Sequence, residues 1–225
     1  MAAQGANSHK RAFVKRTVPR KSSDTDAAFG FKAHSGWAAL VVLCRRDGNL
    51  QVLERSRLEL VEEDWAKQPY HAAEELEPAE ASELVKRGID AARRIALREL
   101  RSAVKRTREY GFEVSACGLL VGSPMPDWSV AEILAVHFRM HKAEGVLFRD
   151  VLARAAESCD LKLAAIPEKT LPEYAEATLG ASASSLSREL AALGKSVGPP
   201  WGKDQKDAAL AAMIALTGRR LNAPA

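Results

Sequence analysis

Gly30-Phe31-Lys32-Ala33-His34-Ser35-Gly36-Trp37-Ala38 is the stretch on which the reading of the whole chain turns. In an extended strand Phe29, Phe31 and Ala33 share one face, and Gly30, Lys32 and His34 share the other. Ser35-Gly36 is turn punctuation, and Trp37 to Cys44 is an apolar run of the right length for a buried strand. Arg46-Asp47-Gly48-Asn49 has hairpin-turn chemistry, and Leu50 to Leu60 reads as a third strand with Val52 and Leu53 on opposite faces. Strands joined by turns this short run antiparallel.

Outward from these strands the texture alternates. Residues 61–81 form a long acidic connection containing Lys67-Gln68-Pro69-Tyr70-His71, and connections of that length often carry function or disorder. From Ser82 to about Tyr110, Leu84, Val85, Ile89, Ala92, Leu97, Leu100 and Val104 recur at helical spacing, and Gly111 is a suitable C-cap. The opposite face is crowded with basic residues, among them Arg94, Arg98 and Arg101. Val114 to Val121 reads as a buried strand. Ser129 and Glu132 stand at capping-box spacing before a helical run to about Ser158, which Gly145 is positioned to bend or split. Leu161 to Ile166 is a short strand. Residues 171–194 are helical, interrupted or capped at Gly180 and Gly194. After Gly198-Pro199-Pro200-Trp201-Gly202, a last helix runs from about Lys203 to Thr217. Later strands that return after helices imply parallel crossovers. The expected fold is α/β: a mixed sheet of about five strands, three antiparallel and then parallel, flanked by helices.

Composition bounds what such a chain does. The 225 residues suffice for one large domain with a real core. Domain boundaries are expected at 1–26 for a basic disordered arm, 27–217 for the folded unit and 218–225 for a frayed tail. The net charge is +4, yet Lys10, Arg11, Lys15, Arg16, Arg20 and Lys21 put +6 into the arm and leave the remainder at −2. Such an arm is either an electrostatic contact to phosphates or a solubilising tail. No apolar run reaches the roughly 18 residues of a spanning helix, and no apolar stretch follows the N-terminal basic residues as in a secretory signal. No membrane association and a cytoplasmic location are the resulting expectations. Cys44, Cys117 and Cys159 lie far apart, as expected of reduced structural thiols rather than a zinc site.

In order and in local residues the chain resembles the RuvC-type resolvases, within the ribonuclease H-like superfamily. The stretch from Gly30 to Ala38 resembles that family's first strand, turn and second strand. Lys142-Ala143-Glu144-Gly145-Val146, with the strand Leu161 to Ile166, resembles its middle helix and fifth strand. Asp204-Gln205-Lys206-Asp207-Ala208-Ala209-Leu210-Ala211 resembles its final helix, with two acidic residues three apart. The likeness spans about residues 27–217 and implies a ribonuclease H-like fold. It also implies two-metal phosphodiester hydrolysis, with ions about 3.5–4 Å apart, magnesium or manganese as cofactor, and Asp204 and Asp207 as catalytic metal ligands. The chain departs from that pattern twice. Lys32 stands where the family places a first-strand Asp, and Gly118-Leu119-Leu120-Val121 offers no fourth-strand Glu. Asp127 and Glu132 lie just beyond, although the capping box explains Glu132 more simply. If Lys32 points toward Asp204 and Asp207, its ammonium neutralises them in the metal's place.

Other constellations carry less. His137 and His141 have zinc-pair spacing, but the catalytic Glu between them and a third ligand are not evident in sequence. His34 follows the first strand as a metal ligand or phosphate contact. Tyr70 and His71 stack on a base or pack over the core. Gly194-Lys195-Ser196 lacks the upstream Gly of a phosphate loop, since Glu189 occupies that position. The leading expectation is a nucleic-acid-binding protein with a degenerate metal site. DNA or RNA phosphates would be held by the arm, His34, Arg94, Arg98 and Arg101, and a homodimer is carried as open. Two alternatives stand: a metal-dependent structure-specific endonuclease using Asp204 and Asp207, and a regulatory module that never meets nucleic acid. Whether the chain is an enzyme is left open by its sequence.

Overall fold

The computed structural model describes residues 26–218. The arm and tail expected at the two ends, with Lys10, Arg11, Lys15, Arg16, Arg20 and Lys21, lie outside the described residues, apart from Asp26 and Gly218 at their inner edges. Strands β1 (Asp26–His34), β2 (Trp37–Arg46) and β3 (Asn49–Glu59) form an antiparallel meander. Strands β4 (Glu113–Val121) and β5 (Lys162–Pro167) join parallel to β1, which gives one five-stranded sheet in the order β3-β2-β1-β4-β5. This is the mixed α/β layout expected from the sequence, three antiparallel strands followed by two that return parallel after helices.

The period-two pattern sorts the core. Phe29 and Phe31 of β1 and Leu40 and Val42 of β2 face one layer of helices. That layer contains α1 (Pro69–Ala72), α2 (Pro78–Glu109), α3 (Val130–Leu134) and α4 (His137–Glu157). Val41 and Leu43 of β2 face the other layer, made of α5 (Leu171–Leu179), α6 (Ala183–Val197) and α7 (Lys203–Leu216). The face that carries Gly30 and Lys32 in β1 is therefore the α7 face.

α7 sits unusually close to the sheet because glycines make room for it. Gly30 and Gly118 are register partners on β1 and β4. A Cβ on Gly30 would lie 1.8 Å from the Ala208 carbonyl oxygen, and one on Gly118 would lie 2.3 Å from that of Ala211. The helix answers with Ala208, Ala209, Ala211 and Ala212, all fully buried. Two small-residue surfaces thus meet backbone to backbone, which sets the depth at which the acidic start of α7 lies.

Three helix boundaries differ from expectation. The run beginning at Ser129 breaks at Ala135–Val136, not at Gly145. Val136 is extended (φ −141°, ψ 112°), as suits a β-branched residue, while Gly145 is carried inside α4. Gly194 neither caps nor interrupts α6, which continues to Val197. It is needed there because a Cβ would lie 2.4 Å from the Trp201 ring. Gly180, by contrast, ends α5 in the left-handed conformation expected of a C-cap (φ 64°). The connection expected over 61–81 is shorter than that, because α2 starts at Pro78, a residue suited to the first helical turn, rather than at Ser82; what remains is ordered by a 3-10 turn at Asp64–Lys67 and by α1, with Tyr70 buried.

Candidate functional site

At the C-terminal ends of β1 and β5, beside the first turn of α7, charged side chains converge on Lys32. Alternation points Lys32 to the α7 face, and the side chain retains 8% exposure. Asp204 and Asp207 project toward it from one side of α7, because residues three apart on a helix share a face. The helix starts at Gly202, whose backbone N–H donates to Gln205 Oε1 at 2.9 Å. Carboxylates in this first turn are favoured by the positive end of the helix dipole.

The Lys32 ammonium donates a hydrogen bond to Asp207 Oδ2 at 2.7 Å. It also lies 3.5 Å from Asp204 Oδ1 and 3.4 Å from Glu168 Oε1. Arg149 of α4 approaches Glu168 from the far side, Nη2 to Oε2 at 2.8 Å. Lys203 bridges to Asp207 one turn along the helix. His34 Nε2 is 3.3 Å from Asp204 Oδ1, and its ring stacks on Trp37 with centroids 4.2 Å apart. Trp37 is in turn covered by the Arg57 guanidinium at 3.9 Å. Burial alone would lower the Lys32 pKa. The Asp207 hydrogen bond and the charges of Asp207 and Glu168 outweigh that and hold it above the ordinary lysine range.

Three carboxylates thus face three cations, Lys32, Lys203 and Arg149. A two-metal centre needs the opposite: an excess of negative oxygen ligands to accept two divalent ions. Here the ammonium occupies the point on which the carboxylates converge, and the surrounding charge is already balanced. The donor set does not fit a magnesium or manganese pair. Glu132 is no substitute ligand, since its carboxylate accepts from the Ser129 backbone N–H and hydroxyl, each at 2.8 Å, in the capping box. Asp127 is exposed on the loop after β4.

The residues singled out from sequence therefore divide. Lys32, His34, Asp204 and Asp207 come together. Arg94, Arg98 and Arg101 lie exposed on α2, in the layer across the sheet. Arg98 is engaged by Glu62 at 3.1 Å and Glu99 at 3.0 Å. Elsewhere on that helix Arg106 is held by Glu54 and Arg108 by Glu113. Sequence reasoning missed Glu168, Arg149 and Lys203. Glu168 had a signal: it directly follows Pro167 at the C-terminal end of the parallel strand β5, the end at which open α/β sheets place functional groups. Arg149 had none, because only the packing of α4 brings it there.

No family model matches the chain, and no curated protein does. Among solved structures the chain is similar to Thermus thermophilus RuvC, with a TM-score of 0.43 at 11% identity over 84% of this chain and 92% of that one. It is also similar to T. thermophilus RuvC in complex with a Holliday junction substrate, with a TM-score of 0.45 at 11% identity over 84% of this chain and 90% of that one.

Proposed function

We propose that this protein binds nucleic acid on a RuvC-like scaffold without cutting it, the Lys32 ammonium standing where a hydrolytic centre would need divalent cations. The observation that carries the reading is the 2.7 Å contact of Lys32 with Asp207, inside a charge-balanced cluster. An ammonium neutralises carboxylates but neither polarises a phosphoryl oxygen as a Lewis acid does nor generates hydroxide from a bound water. Phosphate contact is assigned to the arm residues 10–21, with Arg94 and Arg101 as exposed basic positions and His34 at the rim of the cluster. Such contacts hold the backbone and read little sequence.

The test pairs metal response with cleavage. Millimolar magnesium or manganese is expected to leave the melting temperature of the wild type unmoved. Lys32→Asp exchanges the cation for a fourth carboxylate and is expected to gain a manganese-dependent rise. Labelled four-way-junction DNA and single-stranded RNA are expected to bind and to remain intact with either metal. Metal-dependent cleavage by the wild type, lost in Asp204→Asn and Asp207→Asn, would select the endonuclease reading instead. Absence of salt-dependent binding to either nucleic acid would select the regulatory module.

A further inference from the structure

A second cluster of titratable side chains lies across the sheet from Lys32, in the helical layer of α1, α2 and α4. His71 comes from α1, while His137 and His141 occupy successive turns at the start of α4. Their spacing of four puts the latter two on one face of the helix. The third imidazole, absent from any local pattern, is delivered by the ordered connection before α2. One ring nitrogen of each lies within 4.8 Å of the others, and the Nε2 atoms of His137 and His141 are 3.1 Å apart.

The surroundings of His71 distinguish this group from a chance surface cluster. Its Nδ1 lies 2.8 Å from Glu144 Oε2, and its backbone N–H donates to Glu144 Oε1 at 3.2 Å. Glu144 is 3% exposed, one of the few buried charged side chains among the described residues. A carboxylate fixed on Nδ1 holds the proton on that nitrogen and leaves a lone pair on Nε2. That Nε2 is buried and has no hydrogen-bond partner. A carboxylate behind a ligating histidine is the usual outer shell of a metal centre, where it orients the ring and raises its basicity. On the far side Glu74 Oε1 approaches His137 Nδ1 at 3.7 Å, adding a second negative charge to offset a cation.

We propose that His71, His137 and His141 form a divalent transition-metal site that takes zinc, with Glu144 as the residue positioning His71. Three imidazoles match the chemistry of zinc and its neighbours in the first transition row. Zinc–nitrogen bonds of about 2.0–2.1 Å in tetrahedral geometry set ligand nitrogens about 3.3 Å apart. The His137–His141 pair already has that spacing, and the largely exposed rings of both residues are free to close on His71 by side-chain rotation. Three protein ligands leave the fourth position to water. The site ties the connection before α2 to α4 and is independent of the Lys32 cluster.

The experiment is a competition titration of the chelator-stripped full chain with zinc against a chromophoric chelator. One equivalent is expected to bind. His137→Ala and His141→Ala alter exposed side chains, leave the fold intact by circular dichroism, and are each expected to weaken binding by at least about 100-fold. Glu144→Gln is expected to weaken it by about 10–100-fold. Cobalt in place of zinc is expected to give the intense visible bands of a four-coordinate site, lost in His71→Ala. Asp207→Asn, across the sheet, is expected to bind zinc as the wild type does. Failure of the wild type to take up one equivalent, or undiminished uptake by the combined His137→Ala, His141→Ala variant, would overturn the assignment.

Discussion

Lys32 contributes through charge, and its removal exposes what it balances. Lys32→Met keeps the bulk of the stem but leaves Asp207, Asp204 and Glu168 facing one another. Breaking a buried ion pair from one side costs about 3–5 kcal/mol. These carboxylates retain 16–30% exposure, so a loss of about 2–4 kcal/mol is expected, read by chemical denaturation. Asp207→Asn in the same chain is expected to recover part of it, a coupling that a double-mutant cycle measures. The pH dependence has a definite sign. The folded-state pKa of Lys32 is raised, so its contribution is complete below the unfolded value and fades only as pH climbs through the folded one. The gap between wild type and Lys32→Met should stay constant from neutral pH to about 10 and narrow above it. Cys117 titrates far from neutrality as well: burial, with a smaller contribution from Cys159, pushes its thiol up to about 12. It belongs with the core, as the apolar residues beside it in sequence imply, whereas Cys159 is only half-buried.

At the scale of elements, the depth of α7 rests on Gly30 and Gly118. Gly30→Ala places a methyl group into the Ala208 carbonyl, where only backbone displacement relieves the clash. The expected destabilisation is about 3 kcal/mol or more, at the upper end of overpacking costs. Gly145→Ala serves as the contrasting case. Nothing but the tip of Arg149 comes near a Cβ there, at 3.7 Å, and the position is exposed inside α4. It is expected to raise stability by about 0.5–1 kcal/mol. Thermal melts of the two variants distinguish a glycine required by packing from one that is merely tolerated. This contrast also explains what the sequence revealed of the elements. Alternation in β1 and the Asp47-Gly48 turn were legible because strand period and hairpin chemistry are local. The role of Gly194 was not, since the ring that excludes a side chain arrives seven residues later from Trp201. The helix break at Val136 was likewise hidden by an unbroken run of helix-compatible residues.

At the scale of the whole molecule, charge is unevenly distributed. Among the described residues much of the basicity of α2 is cancelled by neighbouring acids, while the arm has no acidic residue among its first 21 positions. Deleting residues 1–25 is therefore expected to remove most of the salt dependence of nucleic-acid binding. The slope of log affinity against log salt should fall in magnitude by about 3–5, from up to six phosphate contacts at roughly 0.9 each. Fluorescence anisotropy across a salt series reads it, and an unchanged slope would relocate the contacts to the folded domain. The candidate site itself was half legible. The acidic pair and Lys32 stood out as a pattern and its violation. Arg149 entered only when α4 packed beside the end of β5, because no local spacing encodes which helix ends beside which strand.

Arg55 on the edge strand β3 donates hydrogen bonds from its guanidinium to the carbonyls of Gly198 at 2.7 Å and Pro199 at 3.2 Å, and to that of Pro200. That loop immediately precedes α7. The rim of the sheet is thereby moored by one side chain to the loop from which the acidic helix starts, so the edge strand and the start of α7 share a single anchor.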